Sequence, residues 1–202
     1  MSQKANHSID FFDQQFQHQV RAEDYMLNPF ECAALPHLRG RVLDLGCGMG
    51  NLAVAAARKG RSVLALDGSN TAIAHLKQRA DRDSLDIDAR CVDLSSFALN
   101  ESFDTIVCIG LLMFFDRATA HKSLAQIQQR TQAGGIAIVN ALVVGTTYLD
   151  MFDAGHHYLF GRDEIESQFR HWQILEATHQ SFDALNDHLK VFTTVVARKP
   201  TG

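Results

Sequence analysis

The chain has 202 residues, 46% hydrophobic and 21% charged, enough for one substantial core and ordinary for a soluble globular protein. Its formal net charge of -4 argues against a nucleic-acid partner, because neutralising phosphates leaves a basic footprint. No apolar run approaches the roughly 18 residues of a membrane span, and the N-terminus lacks the apolar core of a signal peptide, so we expect a cytoplasmic protein without membrane contact.

Residues 1–40 are polar and aromatic by turns and should form one or two helices packed on the sheet edge, a cap on a domain running from 41 to 202. From Arg41 onward, apolar runs of strand length alternate with helical segments. Residues 41–45 (RVLDL) and 62–66 (SVLAL) read as strands, with NLAVAAARKG between them as a helix stopped at Gly60. Ser69 is placed to cap the helix NTAIAHLKQRA, whose Ile73, Leu76 and Ala80 share a face. Further strands are expected over 87–92, 103–109 and 136–144, with a helix over 118–131 ended by the turn Gly134-Gly135. Residues 145–160 look irregular and 162–170 helical, and 172–177 and 189–197 read as a closing antiparallel pair. The alternation predicts an α/β fold, a doubly wound and mostly parallel sheet with helices on both faces. The four cysteines, Cys32, Cys47, Cys91 and Cys108, lack CxxC spacing and read as free buried thiols.

The stretch VLDLGCGMGNLA puts three glycines two apart where the first strand runs into a helix, the topology of a nucleotide-binding crossover. The dinucleotide fingerprint G-x-G-x-x-G is not met, since Asn51 stands where its third glycine belongs; this disfavours an NAD-dependent oxidoreductase. Asp44 lies inside the apolar strand, where a carboxylate is costly without partners. Hydrogen bonds from the turn's amides, and a ligand ammonium reached directly or through water, would account for it. Asp67 closes the second strand at the place where an acid can accept both ribose hydroxyls, with helix capping near Ser69 as the alternative. Asp93, in VDLSSF, is placed either to accept an adenine amine or to serve as a turn residue. Three glycines and three acids at successive strand ends fit an adenosine with a positively charged amino-acid tail, not a pyrophosphate.

The series VLDLGCGMGNLA, LALDGS, CVDLSSF and FDTIVCIGLLMFF resembles the successive motifs of S-adenosylmethionine-dependent methyltransferases with the Rossmann-like fold. From about Tyr25 to Lys199 the chain is similar to tellurite-resistance (TehB-type) methyltransferases, through LLMFFDRATAHKSLAQIQQRTQAGG, HYLFGRDEIESQFRHWQILEA and LKVFTTVVARK. The resemblance implies a seven-stranded sheet with a reversed final strand, and S-adenosylmethionine as cofactor. Carried over by position, Gly46, Gly48 and Gly50 would line the methionine part and Asp67 the ribose, while Asp93 and Leu94 would flank adenine. Ile109 would meet the cofactor near its amino group, and Asp44, Cys47, Asn51, Gly68 and Ser69 complete the cofactor-binding set. The family is thought to methylate soft chalcogen oxyanions or related nucleophiles. Its His-Arg pair and further Arg before the last strand are replaced here by SFDALNDHLK, which offers His188 and Lys190.

Methyl transfer from a sulfonium is an in-line displacement, so alignment of nucleophile, methyl and sulfur is the protein's main task. A soft, already ionised acceptor needs no general base, and no catalytic residue is assigned. The acceptor pocket should lie over the strand C-termini, roofed by the N-terminal segment and by 145–160. Its candidate lining is Tyr25, Met113, Phe114, His156, His157 and Tyr158. Met113, Phe114 and Tyr25 read equally as packing residues, and His156-His157 as an exposed or wall-forming pair rather than metal ligands, so no metal is expected. Asn28-Pro29-Phe30 lacks the second proline of the N-P-P-F loop of amino-methylating DNA enzymes, and no nucleic-acid partner is expected. The expected acceptor is a small molecule, a chalcogen oxyanion or other soft nucleophile. A methyltransferase of a quinone or other metabolite, and a non-catalytic cofactor-binding protein, are the alternatives.

Overall fold

A computed structural model describes residues 7–22, 25–153 and 155–202. Seven strands form one sheet: β1 Val42–Leu45, β2 Val63–Asp67, β3 Ile87–Cys91, β4 Phe103–Ile109, β5 Thr131–Leu142, β6 Gln173–Asp183 and β7 Leu189–Arg198. Their order is β3-β2-β1-β4-β5-β7-β6, with β7 antiparallel to both neighbours and the first five strands parallel. The sheet is therefore the seven-stranded Rossmann-like arrangement with a reversed last strand. Strand order reverses between β1 and β4, and in such sheets the ligand crevice opens outside the C-terminal ends of the strands at that point.

Among the described residues six α-helices accompany the sheet: α1 His7–Ala22, α2 Pro29–Ala34, α3 Asn51–Arg58, α4 Asn70–Asp83, α5 Arg117–Arg130 and α6 Glu164–Gln168. Their starts follow from side-chain caps. Asn28 and Glu31 form a reciprocal capping box at α2 with Pro29 in its first turn, so the Asn-Pro-Phe stretch is a helix start. Ser69 accepts from the amide of Ala72 at α4, and Asp116 from that of Thr119 at α5. Side chains alternate across the sheet, giving two cores. Leu43, Leu45, Phe103, Ile106, Leu124, Phe160 and Phe169 fill one, and Val42, Leu52, Val54, Val107, Ile138 and Val196 the other. Asp44 alternates with Leu43 and so shares the face of Val42, beneath α2 and α3.

Several elements differ from expectation. Residues 1–6, 23 and 24 of the expected cap, and residue 154 of the irregular segment, lie outside the described residues. Helix α1 does not sit at a sheet edge; Phe16 reaches Gly48 and Asp13 reaches Ser69, so it lies over the strand ends. Helix α5 stops at Arg130, and Thr131 opens β5 while its hydroxyl donates to Ile127 O at 2.8 Å. Gly134-Gly135 is a bulge within that strand: the step Phe103 to Thr105 in β4 is matched by the step Thr131 to Ile136 in β5. Strand β6 continues six residues past Ala177 to Asp183 as a mostly exposed edge. All four cysteines are free, but Cys32 and Cys91 are exposed, the latter because β3 is the opposite edge.

Candidate active site

The glycine turn is tied to its neighbours through its own amides. Gly46 N and Cys47 N both donate to Leu66 O, at 2.8 and 3.0 Å, and Gly50 N donates to Cys47 O at 2.9 Å. Gly48 N donates to Asp67 Oδ2 at 2.8 Å, while Ser69 N donates to Asp67 Oδ1 at 2.8 Å. Asp67 is thus clasped between the turn and the start of α4, at the end of β2. Burial raises its pKa above the ordinary value, the two amide bonds oppose this, and Asp13 of α1 adds to the rise.

Asn51, the first residue of α3, is held from two sides. Its amide donates to Met26 O at 3.3 Å, and its Oδ1 accepts from Arg79 of α4 at 2.8 Å. Arg79 also donates to Met49 O at 3.1 Å, stacks its guanidinium over Tyr25 at 4.4 Å, and is buried. Tyr25 in turn stacks on His75 at 5.3 Å. The buried arginine and its aromatic brace therefore hold the glycine turn from α4.

Asp44 stands apart. The amides of Gly46, Cys47, Gly48 and Gly50 donate elsewhere, and no hydrogen bond among the described residues reaches the Asp44 carboxyl, whose Oδ2 is sealed and without a partner. Burial, then the charges of Glu31 and Asp67, push its pKa up to about 8. The expected bonds from the turn are absent from this structure. An unpartnered carboxylate beneath a glycine turn, with a second acid at the next strand end, fits an adenosine bearing a cationic tail.

The adenine side is less open. Asp93 accepts from the amide and hydroxyl of Ser95, at 3.0 and 2.6 Å, and from Ser96 Oγ at 2.9 Å, and these bonds hold its pKa below the usual range. Its carboxylate is committed to a turn in this conformation. Leu94 packs at the margin of the core, and Ile109 ends β4 against Asn140 of β5. Gly68 O faces the Cys91 thiol at 3.4 Å, and the Ser69 hydroxyl bonds Asp13 of α1.

Across the switch point, Met113 is buried and its carbonyl accepts from Tyr158 N at 3.0 Å. Phe114 meets Phe12 of α1 edge-on at 5.3 Å and tilts against Phe152 at 5.0 Å. His157 stacks on Phe152 at 4.6 Å, and its Nδ1 is sealed without a partner. The structure thus brings together Met113, Phe114 and His157. The Tyr158 hydroxyl turns away to Glu164 at 2.8 Å and Arg117 at 3.3 Å, Tyr25 lies with α4, and the His156 amide donates to Asp153 O at 3.0 Å. His188 and Lys190 converge on Tyr148: the histidine ring at 6.4 Å, the ammonium over the ring at 4.5 Å. Burial lowers the Lys190 pKa, and no carboxylate pairs with it among the described residues.

Sequence reasoning did not single out Asp13, Phe12 and Phe16, Glu31, Arg79, Tyr148 or Phe152. Phe12 and Phe16 are four apart and so share a helix face, the signal that could have marked α1 as packing on something. Glu31 is signalled only by the Asn28-x-x-Glu31 capping box.

A family profile described as tellurite resistance protein TehB matches residues 9–186. The chain is 28% identical over 170 residues to Hemagglutinin 1 of Eikenella corrodens, covering 79% of this chain and 55% of that protein. It is 26% identical over 166 residues to a probable S-adenosyl-L-methionine-dependent methyltransferase TehB of Haemophilus influenzae, covering 79% and 57%. The crystal structure of TehB from Haemophilus influenzae superposes with a TM-score of 0.77 at 21% identity, over 90% of this chain and 65% of that one. The chain thus spans little more than half the length of these curated relatives.

Proposed function

The chain belongs to the TehB family of tellurite resistance proteins, and on that premise we propose that it is an S-adenosylmethionine-dependent methyltransferase acting on a small, soft nucleophile. The observation that carries this reading is the sealed, unpartnered Asp44 carboxylate under a glycine turn whose neighbour Asp67 is clasped at the next strand end. When bound, S-adenosylmethionine supplies an activated methyl group on a positively charged sulfur.

The chain's residues then have separable tasks. Gly46, Gly48 and Gly50 let the turn approach the amino-acid part, Asp44 offers a counter-charge, and Asp67 receives the ribose hydroxyls. Phe114, Phe152 and His157, with Phe12 of α1 above them, wall the reacting centre and exclude water. Helix α1 has to yield for the donor to enter, because Phe16 and Asp13 rest on Gly48 and Ser69. The half-buried Lys190 ammonium, without a carboxylate, favours an anionic acceptor such as a chalcogen oxyanion, which needs no general base. A second reading, a quinol-like acceptor, is favoured by the exposed Val144, Leu149 and Leu189 beside the same loop. Among the described residues no helix is long and apolar enough to cross a membrane.

The deciding experiment follows labelled methyl from S-adenosylmethionine to selenite, tellurite, thiol and quinol acceptors. Transfer to an oxyanion or thiol is expected, transfer to quinol alone selects the second reading, and no transfer to any of them leaves a binding protein. Asp67→Ala should weaken S-adenosylhomocysteine binding at least roughly tenfold in titration calorimetry, because the variant loses the ribose acceptor and frees the Gly48 and Ser69 amides. Unchanged affinity would remove Asp67 from the site.

A further inference from the structure

The backbone is pinned on both sides of His157. Upstream, His156 N donates to Asp153 O at 3.0 Å; downstream, Tyr158 N donates to Met113 O at 3.0 Å. The Tyr158 hydroxyl donates to Glu164 Oε1 at 2.8 Å, Glu164 Oε2 accepts from Gly161 N at 2.7 Å, and Val144 N donates to Phe160 O at 2.8 Å. The His157 ring lies 14° from parallel to the buried Phe152, which tilts against Phe114, and Phe114 meets Phe12 of α1. The imidazole is thus placed by stacking and by its neighbours' bonds, while its own Nδ1 is sealed and bonds nothing.

A sealed ring nitrogen without a partner costs free energy, and a ring kept only for stacking would serve better as phenylalanine. The charged groups of the surrounding elements are engaged elsewhere: Asp116 with Thr119, Arg117 with Tyr158, Glu164 with Tyr158 and His121, and Asp13 with Ser69. Asp150, Asp153 and His156 are the titratable groups of its own segment, and among the described residues no ion pair reaches His157. The wall around it is apolar: Phe12, Phe114, Phe152 and the buried Met113. An oxyanion would lose its hydration against such rings, whereas a neutral thiol packs well on them. Lys190 and His188 gather on Tyr148 instead, and among the described residues no hydrogen bond or ring contact ties either side chain to this wall. Apolar surroundings also raise a thiol's pKa, so a thiol held there needs a base.

Resting on the methyl-donor reading, we propose that the acceptor is a neutral thiol with an apolar substituent, and that His157 Nδ1 is the base that removes its proton. Imidazole is the side-chain base best matched to neutral pH, and the role requires the neutral ring with its hydrogen on Nε2. Nδ1 takes the thiol proton as the electron pair of the acceptor sulfur forms the new bond to the methyl carbon. The bond from that carbon to the donor's sulfur breaks, and its electrons stay on that sulfur and cancel its positive charge. The products are a methyl thioether and S-adenosylhomocysteine, and the imidazolium gives its proton to solvent once they have left.

The test uses the full chain, labelled S-adenosylmethionine and two probes at neutral pH: benzyl mercaptan, which is protonated there, and 4-nitrothiophenol, which is already ionised. His157→Phe keeps a ring on Phe152 and removes the nitrogen, whereas His157→Gln can hydrogen-bond but cannot take a proton. Both should cut methyl transfer to benzyl mercaptan by about 10²–10⁴-fold, with a loss at least about tenfold smaller for 4-nitrothiophenol. Equal losses with the two thiols would make His157 a wall residue alone, and full activity in either variant would remove it from the reaction; each overturns the proposal. A readout independent of turnover is the stability of the free protein. His157→Phe should unfold at a denaturant concentration equal to or above that of wild type, because it removes an unpartnered buried nitrogen. A lower midpoint would mean that the nitrogen is satisfied in the free chain, which also overturns the base. Wild-type protein that binds S-adenosylhomocysteine in calorimetry but methylates selenite or tellurite in preference to both thiols overturns the thiol acceptor and leaves the donor site standing. Wild-type protein that does not bind S-adenosylhomocysteine overturns the donor reading itself, and the proposal with it.

Discussion

Replacing Gly50 by alanine is expected to lower the stability of the free chain by about 2–5 kcal/mol and to abolish donor binding. Gly50 sits at φ +69° and ψ 28°, a left-handed conformation that costs an alanine about 1–2 kcal/mol. A β-carbon there would also lie 2.5 Å from both terminal carbons of Leu76 and 2.9 Å from its Cγ. Leu76 cannot swing aside, because it is fully buried in the core under α3 and α4. Overpacking of this kind typically adds about 1–3 kcal/mol. Gly60 supplies the control: at φ +76° it is equally left-handed, yet its β-carbon would meet nothing within 4 Å. Gly60→Ala should therefore show the backbone cost alone. Denaturant titration of the two variants measures the difference; equal destabilisation would show that the Leu76 contact does not matter. Binding suffers separately in Gly50→Ala. The displaced turn carries Met49 and Asn51, the two residues that Arg79 grips.

The contrast between Gly50 and the elements around it shows what local sequence can carry. Strands β1, β2 and β4 are buried on both faces, so each is a short apolar run between breakers and is easily read. The far half of β6, THQSFD, is an exposed edge paired only to β7, and a polar strand of that kind leaves no period to detect. Gly134-Gly135 misled for a different reason: a helix stop and a strand bulge both ask for glycine, and only the β4 register tells them apart. The glycine turn and Asp67 were legible because their partners lie within about twenty residues, as with Gly48 and Asp67. The N-terminal segment was expected as a roof over the strand ends, but its contacts were not: Asp13 and Ser69 are 56 residues apart, and no local pattern announces that pair. Asp93 shows the reverse case, since the serines that occupy its carboxylate follow it immediately, as the turn alternative had it.

Asp44→Asn should stabilise the free protein at neutral and alkaline pH while weakening the donor. The folded chain holds the Asp44 pKa at about 8, against an ordinary value of 3.8. Between those values the folded form keeps a proton that the unfolded form has released, so the stability from this group is full below about pH 4 and is lost as pH rises toward 8. The slope is about 1.4 kcal/mol per pH unit for one such group. Other carboxylates run the opposite way: bonding holds Asp93 and Asp116 below their ordinary values and favours the fold as pH rises. The clean measure is therefore the difference between variant and wild type. It should be near zero at pH 4 and grow to a few kcal/mol by pH 8, in denaturant titrations at each pH. A difference that stays flat across this range would show that Asp44 ionises without penalty. The groups facing it, Glu31, Asp67 and the thiols of Cys47 and Cys108, are acids or neutral at these pH values, so none supplies the missing positive charge. Asparagine fits the same space without the buried charge but offers a cationic ligand only a dipole, so donor affinity should fall as free-state stability rises. A strand that were only structural would have no use for so costly a carboxylate; stability gained together with binding lost is the signature of a residue kept for its ligand.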